Sequence, residues 1–355
     1  MAWASHSKEV ATIKEKQLML SIHKKAILAL MALYLIIFAG ACGYREKPPL
    51  DNIIYRLKWL FNISSAGDIW ADVHGHFLEQ GLTVTVKPGG PERDAIKELE
   101  LGHAHFGVAS ADQVIRAVSK GAPIVVLAQL FQSNPLQWIY RPDKTKIESP
   151  KDLKGKIIGV TFGGNDETIM RALLVKHDID ENEVELFSVR YDYTPFFQGN
   201  VDLWPIYRNA QAVIIGNRLR NAGEQIAFFN PHEVGITFVA NSVVTTQKIM
   251  AEHPETVKKF MDALLAAWKK SMDPANKEKV IETVHQFDLD TPKEIIREQL
   301  EITRDLTVPF GDFARGGEFF GKIDPIAWKE TEKIMLDQKL IPQPVFIEKY
   351  LKPVY

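Results

Sequence analysis

KIIGVTFGGNDETIMRALL, residues 156–174, holds a strand, a two-glycine turn and a helix start. Ile157, Ile158, Val160 and Phe162 suit a parallel strand buried on both faces. The loop Gly163, Gly164, Asn165, Asp166 then carries polar groups to a helix predicted to begin near Glu167. Glycine lets the backbone come close to a ligand, and the first turn of a helix presents N–H groups with no partner inside the helix. Such a loop can hold a polar small molecule. A helix cap and a tight turn would use the same residues, so the loop is informative only with its surroundings.

Upstream, residues 51–129 repeat one unit three times, a short apolar strand followed by a helix and a glycine stop. That alternation predicts a parallel sheet with right-handed crossovers. The pattern places strands at 56–61, 82–86, 106–109 and 123–129, and helices at 68–80, from Pro91 to Gly102, and at 112–120. Downstream of the quoted stretch, strands are expected at 184–189 and 212–215, with a return segment at 235–244. Residues 131–140 and 238–242 read as two strands passing between lobes, which makes a hinge. The last third is helical, and residues 254–272 carry Val257, Phe260, Met261, Leu264, Leu265 and Trp268 on one amphipathic face. The expected fold is α/β and two-lobed, each lobe a mainly parallel sheet flanked by helices. Residues 55–135 with 241–355 form the first lobe and 136–240 the second.

Composition narrows the function. The chain has 355 residues, 46% hydrophobic and 25% charged, with a formal net charge of −2, and its Lys and Arg are dispersed rather than clustered. That gives no electrostatic footprint for nucleic acid. Cys42 is the only cysteine, which excludes internal disulfides and cysteine-based zinc sites. Lys24 and Lys25 precede an apolar run at 26–38, then Ala39, Gly40, Ala41 and Cys42. This is the layout of a secretory signal, and the run is short for a membrane span. The small residues before Cys42 resemble a bacterial lipobox, with Ala39 where leucine is more common. The resemblance implies a signal peptide at 1–42, a lipidated Cys42 and a tether at 43–54; an uncleaved anchor is the alternative. Either places the remainder outside the cytoplasm, and Met19 is an alternative start.

The chain has no Gly-x-Ser-x-Gly elbow, P-loop, His-Glu-x-x-His or Gly-x-Gly-x-x-Gly. His74 and His76, two apart on a helix, diverge, and His103 and His105 straddle a helix stop, so no metal site is expected. Polar and aromatic residues gather instead where strands end, at Asn62, Ser64, Ser65 and Asp68, at Ser110 and Asp112, and at Gln132. In the second lobe they are Thr161, Gly163, Gly164, Asp166 and Glu167, then Arg190, Tyr191 and Asp192, then Trp204 and Tyr207. Parallel strands bring such ends to one edge, and two facing lobes bring both edges to one cleft. Acidic groups outnumber Arg190 and Arg208 there, which favours a ligand with amino or ring N–H donors. Aromatic neighbours suit a flat ring. Ser64, Ser65 and Asp112 also qualify as plain helix caps, and Trp59 and Trp138 as core strand residues.

RLKWLFN at 56–62, FLEQGLTV at 77–84, ELGHAHFGV at 100–108 and LKGKIIGV at 153–160 together resemble the solute-binding proteins of bacterial ABC importers. The similar branch holds the nitrate, sulfonate and taurine binders and the binders of thiamine pyrimidine precursors, and the likeness covers about residues 55–355. It implies a two-lobed periplasmic-binding-protein-like fold of type II closing on a ligand at the lobe interface, with no catalysis and no cofactor. The opening at 57–62 resembles the Trp-x-x-Asn start of the pyrimidine-precursor binders, which implicates Asn62, Ser64 and Ser65. It lacks their proline before the asparagine and the His-Ala-Gly that follows. The implied protein is a monomeric, lipid-anchored receptor that passes a small nitrogen-containing ring compound to an ABC permease. The alternatives are a nitrate, sulfonate or taurine binder, which needs more positive charge in the cleft, and a pyrimidine-synthesising enzyme of the same fold. A fungal relative of the latter kind uses a cysteine-rich motif that a chain with Cys42 alone cannot supply.

Overall fold

The computed structural model describes residues 50–90, 92–190, 192–307 and 320–354. The signal peptide, the lipidation at Cys42, most of the tether and Tyr191 lie outside the described residues.

The first pass of the chain runs β1 (Ile53–Arg56), α1 (Ala66–Val73), α2 (His76–Glu79), β2 (Val84–Lys87), α3 (Ala95–Glu100), β3 (Phe106–Ala109), α4 (Ala111–Ser119) and β4 (Ile124–Gln129). The second lobe follows as β5 (Leu136–Tyr140), β6 (Ile157–Val160), α5 (Asn165–Lys176), β7 (Glu185–Ser188), α6 (Thr194–Phe197), β8 (Trp204–Tyr207), α7 (Gln211–Asn221) and β9 (Ala227–Phe229). The chain then returns with β10 (Ser242–Thr246) and the helices α8 (Gln247–Glu252), α9 (Pro254–Met272), α10 (Lys277–His285), α11 (Lys293–Thr307) and α12 (Pro325–Asp337).

In the first sheet the order is β2-β1-β3-β10-β4. β1 pairs in parallel with β2 and β3, while β10 runs antiparallel to both β3 and β4. The returning strand is central because every residue of it is buried, a pattern that only a two-sided position satisfies. Beside it, β1 and β3 are covered by α9, whose Phe260 stacks on Phe106 at 3.8 Å and meets the edge of Tyr55 at 5.1 Å. The second lobe is mixed rather than mainly parallel as the sequence suggested: β8-β5-β9 is antiparallel, β6 and β7 are parallel, and Gly159 N–H donates to Leu203 O at 2.8 Å to link the two. Two connections join the lobes side by side. Leu130 N–H donates to Asn241 O at 2.8 Å, and Asn134 Nδ2 donates to Phe238 O at 2.9 Å.

Four sequence expectations need correction. The first strand is Ile53–Arg56 rather than 56–61: the last ladder bond is Leu57 N–H to Lys87 O, and the Arg56 guanidinium is held by Glu98 and Pro88 O. The helix expected over 68–80 is two, broken at Gly75 with φ of 74°. Residues 212–215 lie in α7, where Ala212, Ile215, Gly216 and Leu219 are buried at helical spacing. The strand in that region is β8, an edge strand, where Pro205 is tolerated. Of the return segment, only β10 is a strand. Among the described residues no helix is long and apolar enough to cross a membrane.

Candidate functional site

A cavity of about 300 Å³ lies between the lobes. One wall is the loop that follows β1, from Leu57 to the first turn of α1. The other is the 161–166 loop with the β8 residues Trp204 and Tyr207, and Asn241 of a connecting segment also reaches it. A volume of this size is at the small end of the range for small-molecule pockets.

The β1 loop is held by its own polar groups. Asn62 Oδ1 accepts from Ser64 N–H at 2.8 Å, and Ser65 Oγ donates to Asn62 O at 2.9 Å. From the second lobe, Asn209 Nδ2 donates to Ser64 Oγ at 3.1 Å and to Thr303 Oγ1 at 3.0 Å. One turn into α1, Asp68 is buried and accepts from Tyr55 OH at 2.7 Å and Trp268 Nε1 at 3.2 Å, both at Oδ1. Burial pushes its carboxyl up to about 7, against the opposing pull of those two bonds. Tyr55 is raised in turn, by burial first and by Asp68 second, so its hydroxyl remains a donor.

The opposite wall has the same design. Gly163 takes a φ of 83°, and a Cβ on Gly164 would sit 2.6 Å from Asp166 Oδ1, so the turn requires both glycines. Asp166 Oδ2 accepts from Thr161 N–H at 2.7 Å, and burial raises this carboxyl to about 6. Tyr193 meets Trp204 edge-on at 5.9 Å, and burial pushes its hydroxyl up to about 12. Lys58 Nζ donates to Asn165 Oδ1 at 3.0 Å and to Tyr207 OH at 2.5 Å, so one first-lobe side chain touches two second-lobe residues. Asn165 Nδ2 and Asn241 Oδ1 are buried at this cavity with no hydrogen-bond partner among the described residues. Polar atoms in that condition are costly unless something else satisfies them.

Of the residues anticipated from sequence, Asn62, Ser64, Ser65, Asp68, Thr161, Gly163, Gly164, Asp166, Arg190, Trp204 and Tyr207 line the cavity. The remaining five described ones do not. Ser110 is fully buried and donates to Gln113 Oε1 at 2.9 Å, and Asp112 is fully buried beside it in the first turn of α4. Gln132 Nε2 donates to Gln129 O and Lys322 O. Glu167 turns back to Gly163 N–H and Arg171. Asp192 is exposed and caps Thr194, and that bonding holds its carboxyl below the usual range. Sequence reading missed Lys58, Trp59, Asp94, Gln113, Asn165, Tyr193 and Asn241 as lining residues. Lys58 and Trp59 were hidden by the overlong first strand; Asn165 was in the quoted loop, and its position at N1 of α5 was the available signal. Arg208 is half-buried and donates to Ser133 Oγ at 3.3 Å, away from the cavity lining.

Similarity to known proteins agrees with this geometry. A riboflavin-binding protein, RibY, from Chloroflexus aurantiacus is 22% identical over 85% of this chain and 85% of its own length. A formylaminopyrimidine-binding protein from Halalkalibacterium halodurans is 23% identical over 91% of this chain and 97% of its own. The solved alkanesulfonate-binding protein SsuA from Xanthomonas axonopodis, bound to MOPS, superposes with a TM-score of 0.65 at 16% identity, covering 86% of this chain and all of the other. That likeness establishes the periplasmic-binding-protein fold. The model described as NMT1/THI5 like matches residues 62–277, from the β1 loop through both walls of the cavity to the start of α10, and the chain belongs to that family.

Proposed function

We propose that this chain is the extracytoplasmic solute-binding component of an ABC importer, tethered by lipid at Cys42, and that its ligand is a small nitrogen-containing ring compound. The observation that carries the reading is a pair of buried carboxyls, Asp68 and Asp166, one on each wall of a single cavity that Trp59, Tyr193, Trp204 and Tyr207 also line. Ring and amino N–H groups donate to carboxylates, and aromatic walls accept the ring face. The relatives named for riboflavin and formylaminopyrimidine bind compounds of this class, which supports the same class here. Residues 55–135 with 241–355 and residues 136–240 would move as two bodies about the paired connections. A ligand touching both walls then favours the closed form, which docks on the permease. Binding alone accounts for the constellation, and no bond need be broken.

The test is calorimetric titration of the purified protein with 4-amino-5-hydroxymethyl-2-methylpyrimidine, riboflavin and taurine, read in parallel by intrinsic tryptophan fluorescence, to which Trp59 and Trp204 at the cavity contribute. Micromolar or tighter binding of a ring compound with a fluorescence change supports the proposal. Tight binding of taurine alone would refute the ligand class.

A further inference from the structure

The geometry assigns Lys58 a second task that rests on the reading above: its ammonium selects a ring compound carrying an acceptor oxygen, such as a hydroxymethyl, formyl or oxo group. Lys58 lines the cavity, and both partners of its Nζ are neutral, Asn165 Oδ1 at 3.0 Å and Tyr207 OH at 2.5 Å. Its charge also lies 5.1 Å from the centroid of the Tyr207 ring. Among the described residues it makes no ion pair, although Asp68, Asp94 and Asp166 line the same cavity. Asp166 Oδ2 is bonded to Thr161 N–H and Asp68 Oδ1 to Tyr55 and Trp268, so each carboxyl is held by its own lobe.

An ammonium has three hydrogens, and two are spent on Asn165 and Tyr207. The third has no acceptor among the described residues, and a half-buried cation gains most from a charge-assisted bond. The wall therefore presents two complementary demands. Asp68 and Asp166 ask for donors, and Lys58 asks for an oxygen. A ring with amino groups at one edge and an oxygen-bearing substituent at another answers both, whereas a purely basic ring leaves Lys58 unanswered and a simple anion leaves the carboxyls facing a like charge. Cleft chemistry is thus less one-sided than the acidic count in the sequence implied.

Two neutral probes that differ by one oxygen test this, 4-amino-5-hydroxymethyl-2-methylpyrimidine and 4-amino-2,5-dimethylpyrimidine, titrated into the full-length wild type, Lys58→Met and Lys58→Arg. The wild type is expected to prefer the hydroxymethyl compound by about 10- to 100-fold, the span of one hydrogen bond to a charged group. Lys58→Met should bind both alike, and Lys58→Arg should keep part of the preference. Circular dichroism and the thermal midpoint of each variant check that it folds. A preference that survives in Lys58→Met, or a loss of affinity equal for both probes, overturns the assignment and leaves Lys58 as a bridge between lobes. Failure of the wild type to bind either probe sinks the ring-compound reading and this inference with it.

Discussion

Replacing Asp68 by Asn separates the cost of a buried carboxylate from the value of the hydrogen bonds around it. The amide oxygen can accept from Tyr55 OH and Trp268 Nε1 as Oδ1 does, so the packing of α1 against α9 is retained. What changes is titration. In the fold the carboxyl is raised from 3.8 to about 7, chiefly by burial. An acid raised on folding contributes stability that is fully present below its unfolded value and is lost as pH rises through the folded value. Between about pH 4 and pH 7 the unfolded chain releases this proton and the folded protein does not. At about 1.4 kcal/mol per unit, the three-unit gap amounts to roughly 4 kcal/mol by pH 8. The side chain is completely buried, so little of this is screened. Wild type and Asp68→Asn should therefore melt alike near pH 4. The variant should gain as pH rises and melt higher by about 6–8 °C at pH 8, taking about 2 °C per kcal/mol for a body of this size. Differential scanning calorimetry at half-unit pH steps reads this directly. An offset that stays constant from pH 4 to pH 8 would refute the account of Asp68 as a carboxyl whose ionisation the fold opposes.

Two substitutions test the scaffold under the cavity. A Cβ on Gly67 would lie 2.1 Å from the ring of Trp268, which is fully buried, so Gly67→Ala should cost about 3 kcal/mol or more and disturb the indole bond to Asp68; an unchanged thermal midpoint would contradict this packing. Glu98 Oε2 lies 2.8 Å from Arg56 Nε and 2.7 Å from Nη2, with both residues buried. Glu98→Ala leaves a buried guanidinium with Pro88 O as its acceptor and should cost about 3–5 kcal/mol in urea unfolding; a loss under about 1 kcal/mol would mean that water reaches Arg56.

The strand-turn-helix at 156–174 was legible in outline: Ile158 and Val160 are buried, Gly163 has positive φ, and α5 starts at Asn165, within two residues of the expected Glu167; Ile157, however, is only half-buried, and Phe162 lies beyond the strand and is exposed. Disagreement arose where one signal answered two questions. The run Ala212-Val213-Ile214-Ile215 is rich in β-branched residues and reads as a strand, yet it packs by helical spacing. Pro205 disguised a strand because the edge position that excuses a proline is a property of the sheet, not of the local sequence. Lys58 and Trp59 continue the alternation of β1, and nothing local marks Arg56 as the exit. The partner that holds Arg56 there, Glu98, is 42 positions away. Asp112 and Glu167 were sound strand-end candidates, but the rotation of α4 buries the first and Arg171 with Gly163 N–H captures the second.

The proposed hinge also meets an energetic requirement that can be bounded from the bonds across the cleft. Asn209 to Ser64 and Lys58 to Asn165 and Tyr207 are hydrogen bonds between the walls, and Arg116 to Thr168 is a further one between α4 and α5. Arg190 and Glu92 form an ion pair at 3.1 Å, but both are exposed, so it adds at most about 1 kcal/mol. Asn209 to Thr303, Gln299 to Ala210 O and Asn217 to Glu298 also join the two lobes. With each buried or half-buried bond worth about 0.5–1.5 kcal/mol net, and somewhat more for those from a cation, these polar bonds amount to several kcal/mol. Moving a two-state equilibrium from 1:99 to 99:1 takes about 5.5 kcal/mol of differential binding, and a micromolar ligand supplies about 8 kcal/mol in total. A ligand gripped from both sides by Asp68, Asp166 and Lys58 therefore supplies binding energy of the same order as the polar bonds between the lobes, beside the apolar core that Ile115 and Leu173 share across them.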